Sequence, residues 1–131
     1  MDEKLRELIQ KWQIKADNDL LTIQNELNAL HTVTDSVCFH AQQAAEKYLK
    51  SYLIAKQIPF RHTHSITELL GYCIDADPGF TELEFAVSLT TYAVELRYPD
   101  DFYLPDLDEA EEAYRIAKEV KGFVLKKIDS I

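Results

Sequence analysis

The sequence predicts an all-α fold, an antiparallel up-and-down bundle of four long helices plus a short one, and three observations carry that prediction. Apolar residues recur at steps of three and four over long stretches. The chain has only 3 Gly and 4 Pro, and the first of either is Pro59. A β-rich chain needs a turn residue roughly every dozen positions, whereas helices run on until a breaker stops them. With 131 residues and 47% hydrophobic content, the chain fits one domain, 1–131, that can bury a real core.

The first helix follows from Leu5, Ile9, Trp12, Ala16, Leu20, Ile23, Leu27 and Leu30, one stripe at helical spacing. His31 to Asp35 interrupts it, with β-branched residues and a capping-type side chain. The second helix spans Asp35 to Gln57, with Val37, Ala41, Ala44, Ala45, Tyr48, Leu49 and Tyr52 on its inward arc; small alanines let a neighbouring helix approach closely. Ile58 to His64 is a loop closed by Pro59. Thr63 or Ser65 caps a short third helix from Ser65 to Asp75, and Asp75 to Gly79 is a turn. A fourth helix is expected from Thr81 to Arg97, started by a Thr81–Glu84 capping box. After a loop from Asp100 to Leu107, the fifth begins near Asp106 or Asp108 and ends near Ile128. Its first turn is acidic and its last basic, the order that the helix dipole favours.

Charge and cysteine count bound the function. A net charge of −9 repels nucleic acid and anionic membranes at long range, so a site for either must be a local basic spot. Cys38 and Cys73 are the only cysteines, and the chain opens Met1-Asp-Glu-Lys, unlike a signal peptide. A reducing cytoplasm is therefore expected, with two free thiols acting as small hydrophobes. No apolar run of about 18 residues exists to span a membrane. There is no H-E-x-x-H, E-x-x-H, C-x-x-C pair or Gly-rich phosphate loop, and His62 with His64 are too few for a metal, so neither metal nor cofactor is expected.

Two polar constellations stand out. On the second helix Ser36, His40, Gln43, Lys47 and Lys50 fall within an arc of about 80°. The plain reading is a solvated helix face. The functional one is an anion-contacting face, with His40 and Gln43 as directional partners and Lys47 as a point charge. On the fourth helix the polar stripe is Glu84, Ser88, Thr91 and Glu95, and Arg97 falls instead among Leu83, Ala86, Thr90, Ala93 and Val94. A half-buried guanidinium cannot shed its charge and needs an acidic or phosphate partner. Asp17, Asp19, Asp100 and Asp101 are internal options, and a ligand phosphate is the other. Pro99 pushes Tyr98 out of helical geometry. Phe85, Leu89 and Tyr92 form a second apolar face, suited to the fifth helix or to a twin subunit.

The run FHAQQAAEKYLKSYLIAK, then HTHSITELL, then ELRYPDD, strongly resembles bacterial and archaeal HEPN domain proteins, from about Ala16 to Lys126. The resemblance implies a small helical bundle that commonly forms homodimers, often beside or fused to a nucleotidyltransferase and in several cases acting as the toxin of a toxin–antitoxin pair. Many such proteins are metal-independent ribonucleases that carry an arginine, four to six residues, then a histidine; others are thought to bind nucleotides without cutting. Arg97 matches the arginine. Phe102, Tyr103 and Leu104 stand where the histidine would be, and Tyr103, with an ordinary pKa of about 10, is a poor base near neutral pH. The expectation is a nucleotide- or phosphate-binding module rather than an enzyme, homodimeric, with a nucleotidyltransferase partner and no membrane. Its ligand contacts would be Arg97, Lys47, Gln43, His40, Tyr98 and Asp100. The alternatives are a ribonuclease using Arg97 and Tyr103, and an interaction module in which Arg97 is structural.

Overall fold

A computed structural model describes residues 1–93 and 102–131, and every described regular element is helical. Helix α1 is Glu3–Leu27, α2 is Thr34–Ala55 and α3 is Ile66–Ala76. A 3₁₀ helix, Pro78–Tyr92, follows, and α4 is Leu107–Asp129.

Each start has a local cause. Asp2 caps α1 by accepting from the Leu5 amide at 2.8 Å. Of the two expected candidates Ser65 caps α3, accepting from the Glu68 amide at 3.2 Å, while Thr63 holds the preceding turn by accepting from the Ser65 amide at 3.1 Å. Asp106 caps α4, accepting from the Glu109 amide at 2.8 Å. Helix α2 has no side-chain cap of its own. Glu26, at the end of α1, accepts from the Val33 amide at 2.6 Å instead, which ties the α1–α2 turn to the second helix.

The end of α2 is built on one strained residue. Gln57 has φ of 57°, the left-handed region that favours glycine. That turn lets the Ile58 amide donate to the Leu53 carbonyl at 2.8 Å, and Ile58 packs against the core.

Helix α2 lies at the centre, packed by α1 on one flank and α4 on another, with α3 and the 3₁₀ helix over it. Fourteen of its 22 residues are buried, and all seven residues of the expected inward arc are among them. Its alanines, Ala41, Ala44 and Ala45, are fully buried, which permits the close helix–helix approach. Tyr48, Leu49 and Leu53 fill the spaces between. Each large apolar side chain buried this way contributes about 1.5–3 kcal/mol.

Three expectations need correction. Leu30, placed on the α1 stripe, lies beyond the helix end and is 92% exposed. The polar arc of α2 is not a solvated face: Lys50 is buried and Ser36, His40, Gln43 and Lys47 are half-buried, because neighbours surround the helix. The fourth helix starts at Pro78, with Asp77 rather than a Thr81–Glu84 box as its cap, and is wound as 3₁₀ over its described length. Phe80, Leu83, Ala86 and Leu89, its buried residues, are spaced by three, the 3₁₀ period. At 3.6 residues per turn the same four would spiral off the core, so a wheel drawn at that pitch misassigns faces. Phe85, grouped with Leu89, is accordingly exposed. The expected burial of Arg97 at this helix end lies outside the described residues.

Replacing Gln57 by glycine should raise stability by about 0.5–1 kcal/mol, measured by urea denaturation, since glycine adopts the left-handed turn without a Cβ clash. Burial pushes the Cys38 thiol up to about 11 and Cys73 up to about 12. At pH 8 neither should react with iodoacetamide while the chain is folded, and both should react in urea.

Candidate functional site

His40 and Lys47 lie one turn pair apart on the α1-facing edge of α2, and both converge on Asp19 of α1. Asp19 Oδ1 is 2.8 Å from His40 Nδ1, and Asp19 Oδ2 is 2.6 Å from Lys47 Nζ. A carboxylate only accepts, so His40 Nδ1 carries the hydrogen and Nε2 is left as the second functional atom of the ring. Asp19 is buried, whereas the side chains of His40 and Lys47 keep 24% and 25% of their surface. The carboxylate therefore fixes two basic groups from behind while their outer atoms stay reachable.

Lys47 also borders a groove of about 180 Å³ with Lys11, Trp12 and Lys15 of α1. Lys47 is neutralised by Asp19. Neither Lys11 nor Lys15 has an ion-pair partner among the described residues; the groove wall is mostly apolar, formed by the indole and the lysine stems, so their charge stands at its rim. Gln43 is half-buried on the same edge of α2. Arg97, Tyr98 and Asp100 lie outside the described residues.

A second polar centre sits further along α2. Glu46, 3% exposed, accepts from Lys50 Nζ at 2.5 Å and Gln42 Nε2 at 3.1 Å, and lies 3.0 Å from His64 Nδ1. Gln42 Nε2 donates also to the His64 carbonyl at 2.9 Å. Both contacts need a donor, which fixes the amide orientation and leaves Gln42 Oε1 without a partner. Lys50 Nζ lies 5.5 Å from the centre of the Trp12 ring. This centre is closed by its own partners, and its role is to locate α1 and the loop before α3 against α2.

Tyr103 stands at the N-terminal end of α4. Its hydroxyl donates to Glu109, which also accepts from Tyr92. The bond to Glu109, above all, raises its pKa above the ordinary tyrosine value, so the phenol keeps its proton near neutral pH and is no base there. Asp17, an expected carboxylate partner for Arg97, accepts from the Tyr48 hydroxyl and lies 2.9 Å from Lys121 Nζ. Among the described residues no group of three or more His, Cys, Asp or Glu is placed to hold a metal ion, and no helix is long and apolar enough to cross a membrane.

Sequence reasoning placed His40, Gln43 and Lys47 on one arc but offered Asp19 as a partner for Arg97 rather than as the anchor of His40 and Lys47, and missed Lys11 and Lys15 as neighbours. The available signal was on α1, where Lys11, Trp12, Lys15 and Asp19 follow one another at steps of one, three and four. Trp12, read as core, is half-buried.

A profile of the HEPN domain matches residues 9–128. The crystal structure of an archaeal HEPN homologue superposes with a TM-score of 0.71 at 25% sequence identity, covering 92% of this chain and 97% of that one. Among curated proteins none matches the chain.

Lys50→Met should cost about 3–5 kcal/mol, because it strands the buried Glu46 carboxylate. The double variant Glu46→Leu/Lys50→Met should recover most of that loss, as read by chemical denaturation.

Proposed function

Because the chain belongs to the HEPN domain family, we propose that it is a nucleotide- or phosphate-binding module rather than a catalyst. The observation that carries this reading is the basic groove at the α1–α2 edge of a chain whose net charge is −9. An acidic protein gains nothing for solubility by gathering lysines, whereas a phosphate ligand needs a local positive potential. Lys47 supplies an ammonium donor held by Asp19, and His40 a directional contact through its second ring nitrogen. Gln43, Arg97, Tyr98 and Asp100 complete the proposed contact set.

The module works as a homodimer, with a nucleotidyltransferase as its partner in a toxin–antitoxin arrangement. Apolar side chains left exposed in the single chain, among them Leu8, Ile14, Leu21 and Phe85, support a further protein contact. Light scattering should therefore report twice the 15.1 kDa chain mass. A ribonuclease reading has less support, because the position of the motif histidine offers Tyr103, held as a donor to Glu109.

Calorimetric titration with ATP tests the reading. Arg97→Ala and Lys47→Ala should each weaken binding about tenfold, with helical circular dichroism unchanged, and wild type should leave a short RNA uncut without added metal. Binding of neither ATP nor RNA in an Arg97-dependent way would count against it.

A further inference from the structure

The groove at the α1–α2 edge combines charge with an aromatic surface, and the two halves suit different parts of one ligand. Its lining is Lys11, Trp12, Lys15 and Lys47. Trp12 is half-buried and is the only tryptophan of the chain. Lys50, itself 3% exposed, holds its ammonium 5.5 Å from the ring centre, a contact that favours one placement of the indole. Lys11 and Lys15 flank Trp12 on the same helix, one and three residues away, and both are exposed. Lys47 closes the other wall, its ammonium fixed by Asp19 at 2.6 Å.

An indole flanked by Lys11 and Lys15, whose charge is not internally neutralised, is a surface that suits a flat, anionic ligand. Stacking takes the flat part and two free ammonium groups take the charge. An acidic peptide would use the charge but leave the ring without a planar partner. A nucleic-acid polymer needs a run of aromatics and phosphate contacts along a track; here there is one tryptophan, one short groove and a repelling −9 background. The groove volume of about 180 Å³ is below the roughly 300–1,000 Å³ of sites that engulf a ligand. It suits one base lying on the ring, with the phosphates reaching outward.

We infer that Trp12 is the base platform of a nucleoside di- or triphosphate site in which Lys11 and Lys15 bind the phosphates. This rests on the anion-binding reading above and adds the base as a recognised part. The site takes ATP in preference to an anion of the same charge without a base.

The test uses the full chain and follows Trp12 fluorescence and calorimetry with ATP, inorganic tripolyphosphate and a short single-stranded RNA. ATP should quench the emission saturably and bind roughly tenfold more tightly than tripolyphosphate, the worth of one stacked base. In Trp12→Leu the two ligands should become equal by calorimetry. Trp12→Phe, a milder change, should keep part of the preference, and the wild-type comparison needs no variant at all. Lys11→Glu/Lys15→Glu, at two exposed positions, should weaken both ligands at least tenfold. Equal wild-type affinities for ATP and tripolyphosphate would overturn the base platform and leave phosphate binding standing. Binding of neither would overturn both readings. Binding of RNA without ATP, or ATP binding indifferent to the double lysine change, would place the site elsewhere and overturn the inference.

Discussion

Glu46 holds a carboxylate at 3% exposure in the middle of the helix that every other element touches, and that burial constrains what surrounds it. An ion in that position must be met by donors from all sides or it destabilises the fold. Lys50 comes from one turn further along the same helix, Gln42 from one turn before, and His64 from the loop that leads into α3. Lys50 in turn lies against Trp12 of α1. The chain from His64 to Trp12 thus joins three segments through one buried charge. The apolar core around Tyr48, Leu49 and Leu53 supplies the bulk of the burial, but it would accept small slides that the carboxylate does not.

The basic groove depends on this frame. Lys50, which neutralises Glu46, also lies 5.5 Å from the Trp12 ring centre and so ties the groove's aromatic wall to the same buried charge. Asp19, a buried acid, positions two basic groups, His40 and Lys47, that stay partly exposed, whereas Lys50 is enclosed with Glu46. Side chains held this way gave up their rotamer freedom when the chain folded.

Legibility from sequence divides along physical lines. Helix existence, the inward arc of α2 and the starts of α3 and α4 were all readable, because periodicity and capping are local. The enclosure of α2 was not, since the number of neighbours that pack on a helix is a property of the whole fold. Lys50 therefore looked like part of a solvated face, and Glu46 was not singled out. The winding of Pro78–Tyr92 was missed for a different reason: Phe80, Leu83, Ala86 and Leu89 do repeat at three, but steps of three also occur in an α-helical stripe. At the site, the arc of His40, Gln43 and Lys47 was visible, while the acid holding it lies 21 and 28 residues away in the chain. Arg97, which sequence reasoning made central, is not among the described residues, and the lysines of α1 were overlooked because Trp12 among them reads as core.

The polar contacts between α1 and α2 also have a spacing of their own. Glu26 meets Val33, Asp19 meets His40 and Lys47, and Trp12 shares its groove with Lys47. Along both helices these rungs lie seven residues apart, a step of about 10.5 Å. A slide of α1 by one rung would move Asp19 away from one of its two bases and set Trp12 or Glu26 against an unsuited neighbour, although the alanine-lined apolar seam would still close. The charged rungs thus act as an address: they make the two longest-paired helices distinguish one alignment from its near copies, which greasy packing alone leaves almost degenerate.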